Sequence, residues 1–137
     1  MSGLKHPQRV LAEAELVSSH FGEIEFDGNW VLVERFNLPL AFNRSTSKLL
    51  ITLPDNYPES PPNSMYLEKG LKKNGKTPEH YFENKYGDGD IRKKGYAWYS
   101  IHFTAWRSSS SSMILGDNLL TAANALFDAL KFDENER

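Results

Sequence analysis

The segment Leu53-Pro54-Asp55-Asn56-Tyr57-Pro58-Glu59-Ser60-Pro61-Pro62 sets the tightest limit on what this chain can fold into. It places four prolines in the nine residues 54–62. Proline has no N–H for a sheet ladder, and its φ is fixed near −65°. The residue before each proline is pushed towards extended backbone. The segment therefore reads as a stiff, extended surface stretch, not as a central strand, and Tyr57 is expected to pin it to the core.

Both flanks read as strands. Residues 48–53 and 64–68 are rich in apolar and β-prone side chains. Upstream, residues 23–26 alternate, Asp27-Gly28 is a turn signal, and residues 30–36 are again β-rich. The gaps are short and polar, which predicts an antiparallel meander of four strands. Residues 7–21 precede it with a different period. Val10, Ala14, Val17 and Phe21 share one helical face and Leu11 widens it, with Pro7 in the first turn and Gly22 as the stop. A second helix is predicted from Asp117, as its N-cap, to about Leu130, with Leu119, Ala123, Leu126, Phe127 and Leu130 on its apolar face.

Between the fourth strand and residue 98 lies a long polar stretch with Tyr81, Phe82 and Tyr86 as expected anchors. Such a stretch is usually functional or mobile. Its clusters Lys69, Lys72, Lys73, Lys76 and Arg92, Lys93, Lys94 sit among acidic residues and read as a solvated loop.

At 137 residues the chain fits one domain, spanning 1–137 with its core in about 7–130 and a frayed tail at 131–137. A net charge of −2 carries no electrostatic footprint for nucleic acid. No long apolar run and no signal-peptide pattern occurs, so no membrane partner and a cytoplasmic location are expected. There is no cysteine, which removes thiolate metal sites and any thioester carried by this chain.

Candidate chemistry concentrates in Trp98-Tyr99-Ser100-Ile101-His102-Phe103-Thr104-Ala105-Trp106-Arg107, followed by the serine tract 108–112. If residues 100–102 continue a strand, Ser100 and His102 share a face, and a Ser–His pair could form an oxyester once a third group orients the imidazole. A structural or partner-orienting histidine is the commoner role. Trp98 and Trp106 suit either a core or a binding shelf. The serine tract reads as a loop that no packing constrains, or as a contact for an extended peptide. His6, His20, His80 and His102 show no ligand spacing, and Asp88 and Asp90 lack a calcium-loop register, so no metal and no cofactor is expected.

The order of these pieces resembles the ubiquitin-conjugating (E2) fold, an α+β domain. Leu53-Pro54-Asp55-Asn56-Tyr57-Pro58 with Pro61-Pro62 is similar to the family's P-x-x-Y-P…P-P signature, and Trp106 to the tryptophan downstream of its active site. Leu38-Pro39, Gly75-Lys76-Thr77-Pro78, Trp98, Ser100-Ile101-His102, Trp106 and Asp117-Asn118-Leu119 match more closely the bacterial group called prokaryotic E2 family E. The resemblance implies an N-terminal helix, a four-stranded meander, a long active-site-region loop and a C-terminal helix. It places His102 near the family's catalytic cysteine, which this chain lacks along with the His-Pro-Asn motif.

That resemblance implies a noncatalytic E2-like protein that binds a ubiquitin-like or multi-ubiquitin-like protein, an E1-like adenylating enzyme, or both, in a bacterial pathway that also holds JAB-type proteases. The expected contact surface is Trp98, Ser100, His102, Trp106, Arg107 and Asp117 with Tyr57 and Pro58 beside it. By fold analogy, Lys5, Arg9 and Glu13 on the exposed face of the first helix would meet the E1-like partner. Two alternatives stand: a noncysteine transferase using Ser100 or His102, and a scaffold subunit with no ubiquitin-like partner.

Overall fold

The N-terminal helix has the predicted bounds. In the computed structural model, which describes residues 4–27, 29–83 and 95–133, α1 spans Pro7–Phe21. The sequence features at Gly28, Tyr86, Asp88, Asp90, Arg92, Lys93, Lys94 and 134–137 lie outside the described residues. Gly22 closes α1 at φ +84°, where a side chain would be strained, and its N–H donates to Ser18 O at 2.8 Å. The buried face is Val10, Glu13, Ala14 and Val17. Leu11 does not widen it: Leu11 is 41% exposed, while Glu13 is fully buried.

β1 (Ile24–Asp27), β2 (Trp30–Asn37), β3 (Thr46–Thr52) and β4 (Ser64–Glu68) form the predicted antiparallel meander. The long stretch after β4 is less structureless than its composition suggests. It contributes β5 (Tyr81–Phe82) and ends in β6 (Tyr96–Tyr99), which extend the sheet to six strands in the order β1-β2-β3-β4-β6-β5. β5 has only two residues, and Tyr96-Ala97-Trp98-Tyr99 in β6 shows no alternation of apolar and polar side chains.

The register sorts the two faces. Val31, Ile51, Met65, Tyr99 and Tyr81 lie in one row across the sheet, and Val33, Leu49, Leu67 and Ala97 in the next. Both rows belong to the core shared with the helices. Leu32, Leu50, Tyr66, Trp98 and Phe82 are paired across the strands one residue out of step, on the opposite face. The Trp98 and Phe82 rings stack there with centroids 5.7 Å apart.

α2 covers Leu119–Phe132 and buries Leu119, Ala122, Ala123, Leu126 and Leu130. Its N-cap is Asn118, not Asp117. Thr121 N donates to Asn118 Oδ1 at 3.0 Å, and Asn118 N donates to Thr121 Oγ1 at 2.9 Å. This reciprocal pair satisfies two amides of the first turn.

Lys73 caps the other end. It is buried, and its Nζ donates to Lys131 O at 2.7 Å and Asp133 O at 2.5 Å. An ammonium there neutralises the carbonyl-rich end of the helix. Lys69, Lys72 and Lys76 are exposed, so among the described residues the solvated-loop reading fails only at Lys73. The first three residues of the expected loose tail are also held: Lys131 and Phe132 complete α2, and Asp133 is 7% exposed. Among the described residues, no helix is long and apolar enough to cross a membrane.

Three buried tyrosines predict an alkaline limit to stability. Burial raises Tyr81 to about 12. Burial, reinforced by the Glu13 charge, raises Tyr57, and burial with the hydrogen bond to Asp133 raises Tyr99. Above the ordinary value of about 10, the unfolded chain releases these protons while the folded chain keeps them. Stability is therefore full below pH 10 and falls as pH rises through the folded values. Absorbance at 295 nm should show fewer tyrosines ionised at pH 11 in native protein than in urea; identical titrations would refute this.

Candidate functional site

A single carboxylate organises the region that carries the proline segment. Glu13 Oε1 accepts from Tyr57 Oη at 2.5 Å and from Leu119 N at 2.8 Å. Its Oε2 accepts from Arg9 Nε at 2.6 Å. One buried group thus joins α1, the proline segment and the first turn of α2. Its negative charge sits where the α2 dipole is positive. Glu13 was expected on an exposed partner face; it faces inward because it lies three residues after Val10 and four before Val17, on the same side of the helix.

Above Tyr57 lies Trp106. Its Nε1 donates to Pro58 O at 2.8 Å, and its ring contacts Tyr57 at 5.9 Å and Phe103 at 5.7 Å between centroids. Arg107 N donates to Asp117 Oδ2 and Asp117 N to Arg107 O, both at 2.7 Å. The serine tract is therefore closed into a loop at its base. Arg9 Nη1 reaches it from α1, donating to Ser109 O at 2.6 Å. Ser112 N donates to Ser109 Oγ at 3.3 Å, and the Ser109 and Ser111 hydroxyls meet at 3.1 Å. These bonds overturn the expectation of an unconstrained loop.

Gly116 is the residue that lets this loop close. A Cβ there would lie 2.6 Å from Arg107 O, 2.7 Å from Ser109 N and 2.8 Å from Ser108 C. All three are backbone atoms, so they cannot swing aside. Gly116→Ala should cost about 1–3 kcal/mol and should open the loop. Urea unfolding measures the first effect, and faster amide exchange at residues 107–112 the second. A variant with wild-type stability and exchange would rule out this packing.

The loop and the start of α1 enclose an open cleft of about 880 Å³, lined by His6, Arg9, Pro58, Glu59, Trp106, Arg107 and Ser108 to Ser110. His6 and Glu59 pair across its rim at 3.4 Å. Lys5 is exposed beside it, its N–H bonded to Asp55 O at 2.8 Å. Four of the expected site residues, Arg9, Pro58, Trp106 and Arg107, thus converge here, with Tyr57 buried beneath them. The role of Ser109 as an acceptor for Arg9 had no visible signal in the sequence, because it uses a main-chain oxygen.

Ser100 and His102 are arranged differently from the strand model. β6 stops at Tyr99, and Ser100 N donates to His80 O at 2.8 Å. His102 is exposed in an irregular segment, and no hydrogen bond joins it to Ser100. His102 lines a second recess of about 260 Å³ with Trp106, Asp117 and Thr121. Both Ser100 and His102 border a third, of about 380 Å³, near His80 and Asp133. Trp98 does not join Trp106: it belongs to the opposite face of the sheet. The stretch 98–117 is therefore not one continuous surface.

The helix–sheet–helix order, the tyrosine–proline segment held by Tyr57 and the tryptophan stacked on it all agree with an E2-like domain. Comparisons with curated proteins and with solved structures return no match. The model of one family, prokaryotic E2 family E, matches residues 5–130. That span takes in both helices almost entirely, the whole sheet and the loop, and so this cysteine-free chain belongs to prokaryotic E2 family E.

Proposed function

We propose that this protein is a noncatalytic E2-like binding protein for a ubiquitin-like protein, an E1-like adenylating enzyme, or both. One observation carries the reading: an E2-like domain without cysteine, in which Ser100 and His102 do not pair as nucleophile and base. A nucleophile weak at its free pKa needs an oriented base. The cleft beside Pro58, Trp106 and Arg107 instead has the apolar shelf and polar rim of a recognition surface. Pro58, Trp106, Arg107 and Arg9 are the contact residues of this proposal, with His102 and Asp117 at its edge. Lys5 remains a candidate for the E1-like partner, and Glu13 does not.

The test titrates this protein with E1-like and ubiquitin-like proteins taken from its own source organism. Calorimetric titration should give saturable binding, weakened about tenfold or more by the exposed-charge reversal Arg107→Glu. Incubation with both proteins and ATP should leave no covalent adduct. A base-labile adduct lost on Ser100→Ala or His102→Ala would establish the transferase alternative, and absence of binding would establish the scaffold one.

A further inference from the structure

Away from the cleft at α1, the fold brings together three potential ligands from two distant parts of the chain. Glu79, His80 and Asp133 each place a ligand atom within 4.8 Å of the other two. They sit where the segment before β5 meets the end of α2, and 53 residues separate His80 from Asp133. That distance hides the group from any search for ligand spacing.

The Asp133 carboxylate is fully buried and held from two sides. Its Oδ1 accepts from Glu79 N at 2.7 Å, and its Oδ2 accepts from Tyr99 Oη at 2.5 Å. His80 N is 3.3 Å from Oδ2. Lys73 stands nearby but addresses main-chain oxygens, not the carboxylate. His80 Nδ1 lies 3.4 Å from Oδ2, with the imidazole half exposed. A charge-assisted N–H···O bond would be about 2.7–2.9 Å long. Two ligand atoms about 2.0–2.1 Å from a tetrahedral zinc ion lie about 3.4 Å apart. The spacing suits two ligands of one ion better than a direct hydrogen bond.

We propose that Glu79, His80 and Asp133 form a site for a divalent transition-metal ion, with zinc the best fit. Imidazole favours such ions over magnesium and calcium, which prefer oxygen ligands. Tyr99 Oη and the Glu79 amide orient the Asp133 carboxylate, as outer-shell partners of a metal ligand do. The partial exposure of Glu79 and His80 provides an entry path. Three protein ligands leave a fourth position, and Ser100 and His102 line the recess onto which the group opens. The ion would fasten the end of α2 to β5 and β6.

The test titrates ZnCl2 into the full, untagged, EDTA-stripped chain by calorimetry, with MgCl2 as comparison. The expected result is one zinc per chain and a raised Tm, with no magnesium binding. His80→Ala should weaken zinc binding at least about 100-fold and Tyr99→Phe about 10–100-fold, while His20→Ala, at the far end of α1, leaves it unchanged. Circular dichroism confirms that each variant is folded, and His80→Ala alters an exposed side chain. No saturable zinc binding, or binding that survives His80→Ala in folded protein, overturns the site.

Discussion

Replacing Glu13 by alanine is expected to destabilise the protein by about 3–5 kcal/mol, a large fraction of the roughly 5–15 kcal/mol that holds a domain together. The loss has several parts. Arg9 would keep its charge in a largely buried place, with its Nε partner gone. Tyr57 Oη and Leu119 N would be left in the core without their acceptor. Unmade buried hydrogen bonds are costly because neither group can return to water. Glu13→Gln retains one acceptor oxygen and should cost less, about 1–3 kcal/mol. Joint replacement with apolar residues, Arg9→Met with Glu13→Leu and Tyr57→Phe, removes both side-chain donors with the acceptor, leaves Leu119 N as the one donor without its partner, and should cost less than Glu13→Ala alone. Urea unfolding of the four proteins decides it. A loss under about 1 kcal/mol for Glu13→Ala would mean that the carboxylate does not hold the three elements together.

The same residue shows which parts of the structure could be read from sequence. α1, β1 and α2 follow from periodicity, and β2, β3 and β4 from runs of β-prone apolar side chains bounded by turn residues. The proline segment follows from the chemistry of proline itself. Glu13 did carry a signal, since it falls between Val10 and Val17 on the buried side of the helix, but charged residues are so seldom fully buried that the spacing is easily discounted. Lys73 was concealed by its neighbours: within a run of lysines, nothing local distinguishes the one that turns inward to cap α2. β5 and β6 are stabilised by partners far along the chain and not by their own pattern. The pairing of Ser100 with His102 depended on a strand continuing beyond Tyr99, and where a strand stops is set by its neighbour β4, which ends its pairing with β6 at Met65–Tyr99. The candidate cleft was legible in its side chains Pro58, Trp106 and Arg107. The main-chain contacts that close it, through Ser109 O, Arg107 O and Asp117 N, were not, because such groups occur at every residue.

Asp133→Ala is the second change expected to be severe, at about 2–4 kcal/mol. Asp133 accepts from Tyr99 Oη and from the amides of Glu79 and His80, so it tethers the end of α2 to the sheet and to the segment leading into β5. Alanine leaves the Tyr99 hydroxyl without an acceptor beside a core in which that ring is 2% exposed. Measured on metal-free protein, this loss is independent of any bound ion. Tyr99 itself provides a second readout. The hydrogen bond to Asp133 and the nearby negative charge both help to raise its ionisation above the ordinary range. Without them, Tyr99 should ionise at lower pH in the folded state, and the native absorbance change at 295 nm should begin earlier. Tyr99→Phe removes the donor, so adding it to Asp133→Ala should cost less than the sum of the single changes. Full additivity, or a tyrosine titration unaltered by Asp133→Ala, would show that the two groups do not interact, and the end of α2 would then be held by the Glu79 and His80 amides, Lys73 and apolar packing.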